Sequence, residues 1–424
     1  MKYSKSLFNL FILSFGSLLG AILGFLCQVI LARNLTPTAL GNYSAIFFLI
    51  TTIAPLCGFG ISQYWLKIFG QHGWQGMSWV PLSLKFINIS TLSILVFLIF
   101  WGALIERSIS LKLTAMIMSF IIFGQLAIEL TSAILQLEEK YNQLAIWQLL
   151  QPLLRFIFLF IINYIMNIPF NLPIIATVYV SVALIIGTIG GIKVNQFKKG
   201  NFNLQGHKKT KKEREFNISV KTIMKGAAPY GFSGLFYLIY FQLSIVLVKY
   251  LISPDAAGYY NIAFVFISAA MILPNVIYQK FLLPKLHRWA YHDKHLFYQS
   301  FIKGNYIMGG LGIIVMLTIW FLTPHLIPLF FGIEYYSAVK ITQFLSINIP
   351  IVYIASSAGS ILLTQNNMIH KVKYMGLSAL LSLILNLILI PHLGITGAII
   401  TNIICNSFLL IIYFIKIKNI FSYD

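Results

Sequence analysis

One arginine and one glutamate stand in the middle of long apolar runs, each in line with polar side chains at helical spacing. Gln148, Gln151 and Arg155 fall at steps of three and four, as do Gln125, Glu129, Ser132 and Gln136 in the run before them. On α-helices such steps collect the side chains on one face. In a low-dielectric site a guanidinium is a strong bidentate donor for an anion, and a carboxyl group can pair with it or carry a proton. The plainer alternative is an interhelical ion pair set in polar glue. A third stripe, Tyr230, Ser233, Tyr237, Tyr240 and Ser244, supplies flat aromatic faces and hydroxyls at the same steps.

The elements that position these residues follow from composition. The 424 residues are 58% hydrophobic and 9% charged, with a mean hydropathy of +0.84, outside the range of soluble domains. Uncharged runs recur at or above the roughly 20 residues a helix needs to cross the hydrocarbon core. Backbone polar groups find no water there, so each run must be a helix or part of a closed barrel. The runs are continuous rather than alternating, which excludes a barrel. Two of them exceed one crossing and divide at breakers, Asn167–Pro173 and Pro391–Gly397. The pattern predicts an all-α polytopic membrane protein with twelve spans near 7–32, 42–66, 80–105, 113–136, 142–166, 173–193, 226–250, 258–282, 303–323, 338–363, 371–390 and 396–416. Glu129 makes the fourth the weakest.

The short turn Glu138–Gln143 makes the fourth and fifth spans antiparallel neighbours. Counted from that turn, Glu129 and Arg155 differ in depth by about five residues, or roughly 7–8 Å at 1.5 Å each, a gap that an arginine side chain nearly closes.

The net charge of +20 would point a soluble protein toward nucleic acid, but its distribution points to a membrane and to no nucleic acid. With the amino terminus inside, 24 basic residues lie on inner loops and ends and five on outer loops, Arg155 belonging to neither side. This bias sets both termini in the cytoplasm. The first apolar run is too long for a signal h-region and lacks a cleavage site, so it stays as a span. The longest polar stretch, Lys198–Phe216, belongs to a basic cytoplasmic linker (198–225) between two six-helix bundles, 1–197 and 226–424. It fixes topology and offers contact to anionic lipid headgroups. Cys27, Cys57 and Cys405 lie inside spans and read as small buried hydrophobes.

The halves share a signature. LARNLTPTALGNY (Leu31–Tyr43) and VKYLISPDAAGYY (Val248–Tyr260) align with an offset of 217 residues, matching at proline, alanine, glycine and tyrosine. Thr36 and Ser253 are suited to N-cap the next helix, with Pro37 and Pro254 at its first position, and Gly41 and Gly258 permit close helix approach. The repeat is parallel, an arrangement transporters use. Gly16, Gly20 and Gly24 form a small-residue stripe for helix packing. Pro55 with Gly58 and Gly60, and Pro274 in the other half, break helices at similar places, as hinges or as fixed kinks.

These marks resemble the polysaccharide flippases of the multidrug/oligosaccharidyl-lipid/polysaccharide exporter superfamily. The likeness rests on ARNLTPTALGNY, GFGISQYWLKIFG (Gly58–Gly70), SPDAAGYYNIAF (Ser253–Phe264), ILPNVIYQKFLLPKLHR (Ile272–Arg288) and PHLGITGAIITN (Pro391–Asn402). It implies two six-helix bundles alternating between inward and outward openings. It also implies an undecaprenyl-pyrophosphate-linked oligosaccharide carried from the cytoplasmic to the outer leaflet of a bacterial inner membrane, for O-antigen or capsule synthesis. On this reading Arg155, Gln148 and Gln151 hold the pyrophosphate, Tyr237 and Tyr240 meet sugar, and Glu129 serves proton coupling. Polysaccharide polymerase and chain-length proteins are the partners it brings to the loops.

A multidrug exporter of the same superfamily is the alternative, but a cationic drug needs buried carboxylates and only Glu129 qualifies. No GxxxxGK[ST] loop, metal-spaced histidines or nucleophile–base pair occurs, so the sequence calls for neither cofactor nor metal. The expectation is a transporter rather than an enzyme.

Overall fold

The computed structural model describes residues 2–205, 218–282, 285–286, 289–290, 293–363 and 368–422. Residues 206–217 of the basic linker lie outside the described residues, as do 283–284 and 287–288 of the Ile272–Arg288 segment. Among the described residues every regular element is helical.

Helix α1 (Lys2–Asn34) is followed by α2 (Pro37–Ile53). Thr36 caps α2 through its Oγ1, which accepts from the Ala39 N–H at 3.3 Å. Pro55 stops α2 and opens the single turn α3 (Pro55–Gly58). Phe59 (φ 42°) and Gly60 (φ 75°) then take left-handed conformations before α4 (Ile61–His72). A 3₁₀ segment, Gly73–Trp79, leads into α5 (Val80–Ile105). Next come α6 (Ile109–Met118), α7 (Ile121–Leu137), α8 (Tyr141–Phe160), which widens into a π turn at Ile161–Ile165, and α9 (Leu172–Lys198). The second half holds α10 (Val220–Leu251), α11 (Pro254–Ala270), a broken stretch through Pro274 and a π segment (Asn275–Leu282), and α12 (Lys294–Phe331). It closes with α13 (Ala338–Ser346), α14 (Asn348–Ile361), α15 (Met368–Leu393) and α16 (Ile395–Ser422).

Among the described residues eleven stretches are long and apolar enough to cross a membrane, and one of them, Pro37–Ile105, spans 69 residues. That is far more than one crossing of a roughly 30 Å core, and the left-handed pair with the 3₁₀ segment divides it in two. The chain is therefore a multi-pass membrane protein, with twelve crossings among the described residues. Both long apolar runs divide as expected: Asn171 Oδ1 caps α9 at the Ile174 N–H (2.9 Å), and Gly394 (φ 61°) separates α15 from α16.

The fourth span is present at Ile109–Leu137. Its helix breaks at Ser119–Phe120, which the sequence reading did not anticipate. Ser119 Oγ donates to the Ala115 carbonyl at 2.8 Å, and the Phe120 N–H turns to Ile117 O three residues back. Such back-bonding competes with the helical ladder. Glu129 sits mid-helix in α7.

The chain forms two compact units, residues 1–27 with 49–235 and residues 28–48 with 236–424, so the division falls inside α1, α2 and α10. In the first, an aromatic core gathers α4, α9 and the segment after α9, with Trp65–Phe197 and Phe197–Phe202 ring centroids 5.1 and 4.6 Å apart. In the second, the two signature copies pack on each other. A Cβ on Gly41 would land on the Pro254 carbonyl oxygen, and one on Gly258 would land on that of Pro37. Ser253 Oγ caps α11 at the Ala256 N–H, 3.4 Å away. Arg33 closes the end of α1 by donating to the carbonyls of Leu329 and Phe330.

Candidate functional site

Helix α8 carries the arginine stripe. It is held from one side by α1, where Gly16 and Gly20 face Ala145, Leu149 and Pro152 so closely that an added Cβ would sit 3.3 Å from Ala145 Cβ and 3.6 Å from Pro152 Cγ. Gly24, the third member of that stripe, meets nothing within 4 Å. From the α7 side, Trp147 Nε1 donates to the Ile128 carbonyl at 3.4 Å. Helix α8 is therefore a fixed platform.

Arg155 lies half-buried on that platform with its Cζ 4.6 Å from the centroid of the Tyr179 ring, which is buried on α9. The ring quadrupole attracts the guanidinium and helps to fix its position. The guanidinium also falls within electrostatic range of Cys27 on α1. One turn earlier the Nε2 of Gln151 is buried and has no hydrogen-bond partner, so a second donor is held in reserve. A buried donor left unsatisfied costs about 1–3 kcal/mol, and such a group invites a ligand or a water. Gln148 is exposed.

Glu129 turns elsewhere. Its Oε2 approaches the backbone at Gly58, 3.6 Å from where a Cβ would stand, so the carboxyl faces the α3–α4 break. Among the described residues Glu129 makes no ion pair. Ser132, one turn on, is buried with its hydroxyl unpartnered. The α7 and α8 stripes are thus on adjacent helices of one unit, yet their two charges face different neighbours, Gly58 and Tyr179.

The tyrosine stripe is split by the unit boundary. Tyr230 packs beside Gly60 in the first unit. Tyr237 and Tyr240 belong to the second, in a T-shaped pair 5.6 Å apart, with Phe241 stacked on Tyr237 at 5.3 Å. Phe241 continues the cluster to Phe264 at 4.8 Å.

Two features escape sequence reasoning. Glu138, read there as part of a turn, is buried and holds Lys193 at 2.7 Å and Lys140 at 3.2 Å, while accepting from the Asn203 N–H at 3.4 Å. Burial pushes its carboxyl upward, but the Lys193 hydrogen bond and charge, with help from Lys140 and Asn203, hold it below the ordinary carboxylate value. The second is a buried amide network in the other unit. Asn402 Oδ1 accepts from Asn348 at 2.7 Å and from Asn406 at 3.0 Å. Nearby on α15, Asn386 accepts from Ser244 at 3.3 Å and donates to Ser382 at 3.2 Å. Its only sequence trace is spacing: Ser378, Ser382 and Asn386, then Asn402 and Asn406, at steps of four.

Twelve crossings in two helical units, with a parallel repeat and a membrane-embedded arginine on a rigid helix, define a polytopic transporter fold. Residues 6–289 match the family described as polysaccharide biosynthesis protein, and the chain belongs to that family. Among solved structures it is similar to the lipid II flippase MurJ in an inward closed conformation, with a TM-score of 0.72 at 15% identity, covering 96% of this chain and 87% of the other. It is also similar to an inward-facing multidrug resistance MATE family transporter of the MOP superfamily, at 0.69 and 14% over 95% of both chains. A MOP superfamily transporter from Pyrococcus furiosus, whose binding pocket is described as reversed in polarity, matches at 0.63 and 12% over 97% of this chain and 95% of its own. No curated protein matches the sequence. At these identities the structural likenesses establish the fold.

Proposed function

We propose that this protein is a flippase that moves undecaprenyl-pyrophosphate-linked oligosaccharide repeat units from the cytoplasmic to the outer leaflet of a bacterial inner membrane, by alternating access, for O-antigen or capsule synthesis. On this reading both termini lie in the cytoplasm, and the halves 1–197 and 226–424 are two six-span repeats, with the linker 198–225 between them. The observation that carries the reading is the Arg155 seat. A guanidinium placed in a membrane costs on the order of 2.5–3.5 kcal/mol on insertion scales, and here it is stacked on Tyr179 one turn from an unpartnered Gln151 amide. That arrangement suits a pyrophosphate, with Arg155 as bidentate donor and Gln151 and Gln148 beside it. Tyr237 and Tyr240 meet the sugar, and Glu129 carries the coupling proton. The family's description and the flippase among the structural neighbours support a lipid-linked substrate.

A second reading, export of a cationic drug, draws on the MATE structures, which match over nearly the whole chain, and on Glu129 as the buried carboxylate. Extracting lipids from a deletion strain separates the two. Accumulation of single undecaprenyl-pyrophosphate-linked repeat units with loss of surface polysaccharide supports the flippase. An unchanged lipid pool with new sensitivity to cationic dyes supports the exporter. In the complemented strain, Arg155→Ala is expected to lose at least about tenfold in surface polysaccharide, the scale of one lost charge-assisted contact, with Arg155→Lys intermediate. Full activity of Arg155→Ala removes the arginine from the mechanism.

A further inference from the structure

A cavity of about 560 Å³ opens in the first unit between α4 and the first turns of α10, well away in sequence from the Arg155 stripe. Its α4 wall is Tyr64, Lys67, Ile68 and Gln71, which stand at steps of three, one and three on one helix face; the α10 wall runs from Ser219 to Gly226. The walls are fixed. Gly226 packs flat on the Tyr64 ring, where any Cβ would collide, and Ile223 and Ala227 join Tyr64 and Ile68 in the aromatic core beneath. At the mouth the Ser219 hydroxyl accepts from the Thr222 N–H at 3.2 Å and lies 2.9 Å from Thr222 Oγ1.

The lining is one-sided in charge. Lys67, Lys221 and Lys225 contribute three ammonium groups and Ser219, Thr222 and Gln71 neutral donors, with no carboxylate among the lining residues. Among the described residues none of the three lysines has a hydrogen bond or an ion pair. The Glu138 ion pair in the same unit shows the alternative, lysines neutralised by a buried acid. Three unneutralised ammonium groups around one open cavity raise the local positive potential and concentrate anions there. Tetrahedral oxyanions, with several acceptor oxygens, match three ammonium and several hydroxyl donors better than a single carboxylate does.

We propose that this cavity is a phosphate-binding site on the basic face of the first unit, taking a phosphate group from an anionic phospholipid headgroup or from a soluble phosphate compound. It is separate from the transport reading above and stands without it.

The test uses the full-length protein in detergent. Binding of phosphatidylglycerol, of phosphatidylethanolamine and of inorganic pyrophosphate is followed by native mass spectrometry and by shift in melting temperature. The test variant carries Lys67→Gln, Lys221→Gln and Lys225→Gln. A charge-matched control carries Lys198→Gln, Lys199→Gln and Lys373→Gln, and size-exclusion profiles confirm that both variants remain folded. The expected result is binding of phosphatidylglycerol or pyrophosphate that falls by about tenfold or more in the cavity variant and stays near wild type in the control. Phosphatidylglycerol binding that pyrophosphate does not displace identifies the lipid as the source; displacement by pyrophosphate at comparable affinity identifies a soluble phosphate. Equal losses in both variants, or no preference for phosphatidylglycerol or pyrophosphate over phosphatidylethanolamine, would overturn the site.

Discussion

The two units bury charged and neutral polar groups in different proportions. The first relies on charge: Glu138 between Lys193 and Lys140, Arg155 on Tyr179, Glu129 against the Gly58 backbone. The second buries Lys249, with its Nζ 4.5 Å from the Tyr250 ring centroid, but threads mainly neutral amides and hydroxyls through its core, with Asn386 and Asn261 fully buried and Asn402 shared between Asn348 and Asn406. Neutral groups that satisfy one another cost little in lipid and fix helix register. Charges cost more and persist where something must be held or moved. The contrast fits structural specificity for the amide network and the ligand role proposed above for the arginine seat.

The largest expected effect probes the tightest structural contact. Gly41→Ala or Gly258→Ala puts a methyl group onto the facing Pro254 or Pro37 carbonyl. Backbone cannot retreat as a side chain can, so the cost should exceed the roughly 1–3 kcal/mol of ordinary overpacking. Melting curves in detergent should show a large drop for either variant and almost none for Gly24→Ala, which has open space around it. Unchanged melting in Gly41→Ala would mean that the two signature copies do not touch as described.

Next in size is Asn402→Leu. It removes the acceptor of the Asn348 amide and one acceptor of Asn406, whose other bond, to the Asn402 carbonyl at 2.8 Å, survives. One newly orphaned buried donor should cost about 2 kcal/mol. The comparison is sharpened if stability falls while surface polysaccharide per folded molecule is kept. It breaks if stability is kept and polysaccharide is lost, because the amides would then be part of the transport machinery.

How much of this could be read in the sequence depends on the range of the interaction. Pro169, Pro173, Pro391 and Gly394 act on their own backbone, so the divisions of both long apolar runs were legible. So were the Thr36 and Ser253 caps, which act three residues on. The match of Pro37 and Gly41 to Pro254 and Gly258 reveals a repeat, but similarity does not reveal contact, and their mutual packing had to be seen. Ser119 was missed because a mid-helix serine usually leaves the helix straight. Glu129 and Arg155 were legible as costly charges, but not the direction each faces, which depends on Gly58 and Tyr179 in other helices. Glu138 was missed for the same reason, since Lys193 stands 55 residues away.

The smallest expected effect tests the ionic style of the first unit directly. Glu138 has a folded-state value held below 4.5, so its contribution is present at pH above the unfolded value and is lost as pH falls through the folded one. The lysines are partly exposed, 21% for Lys193 and 41% for Lys140, so solvent screens the pair and Glu138→Gln should cost only about 1 kcal/mol. The glutamine keeps the size and one acceptor but loses the charge. The melting difference between wild type and Glu138→Gln should therefore be full at pH 7 and shrink as pH falls below about 4.5. It should also shrink at high salt, as screening predicts. A difference independent of both pH and salt would show that Glu138 works through shape and hydrogen bonding alone, as the amides do in the other unit, and the more ionic character of the first unit would then rest on Arg155 and Glu129.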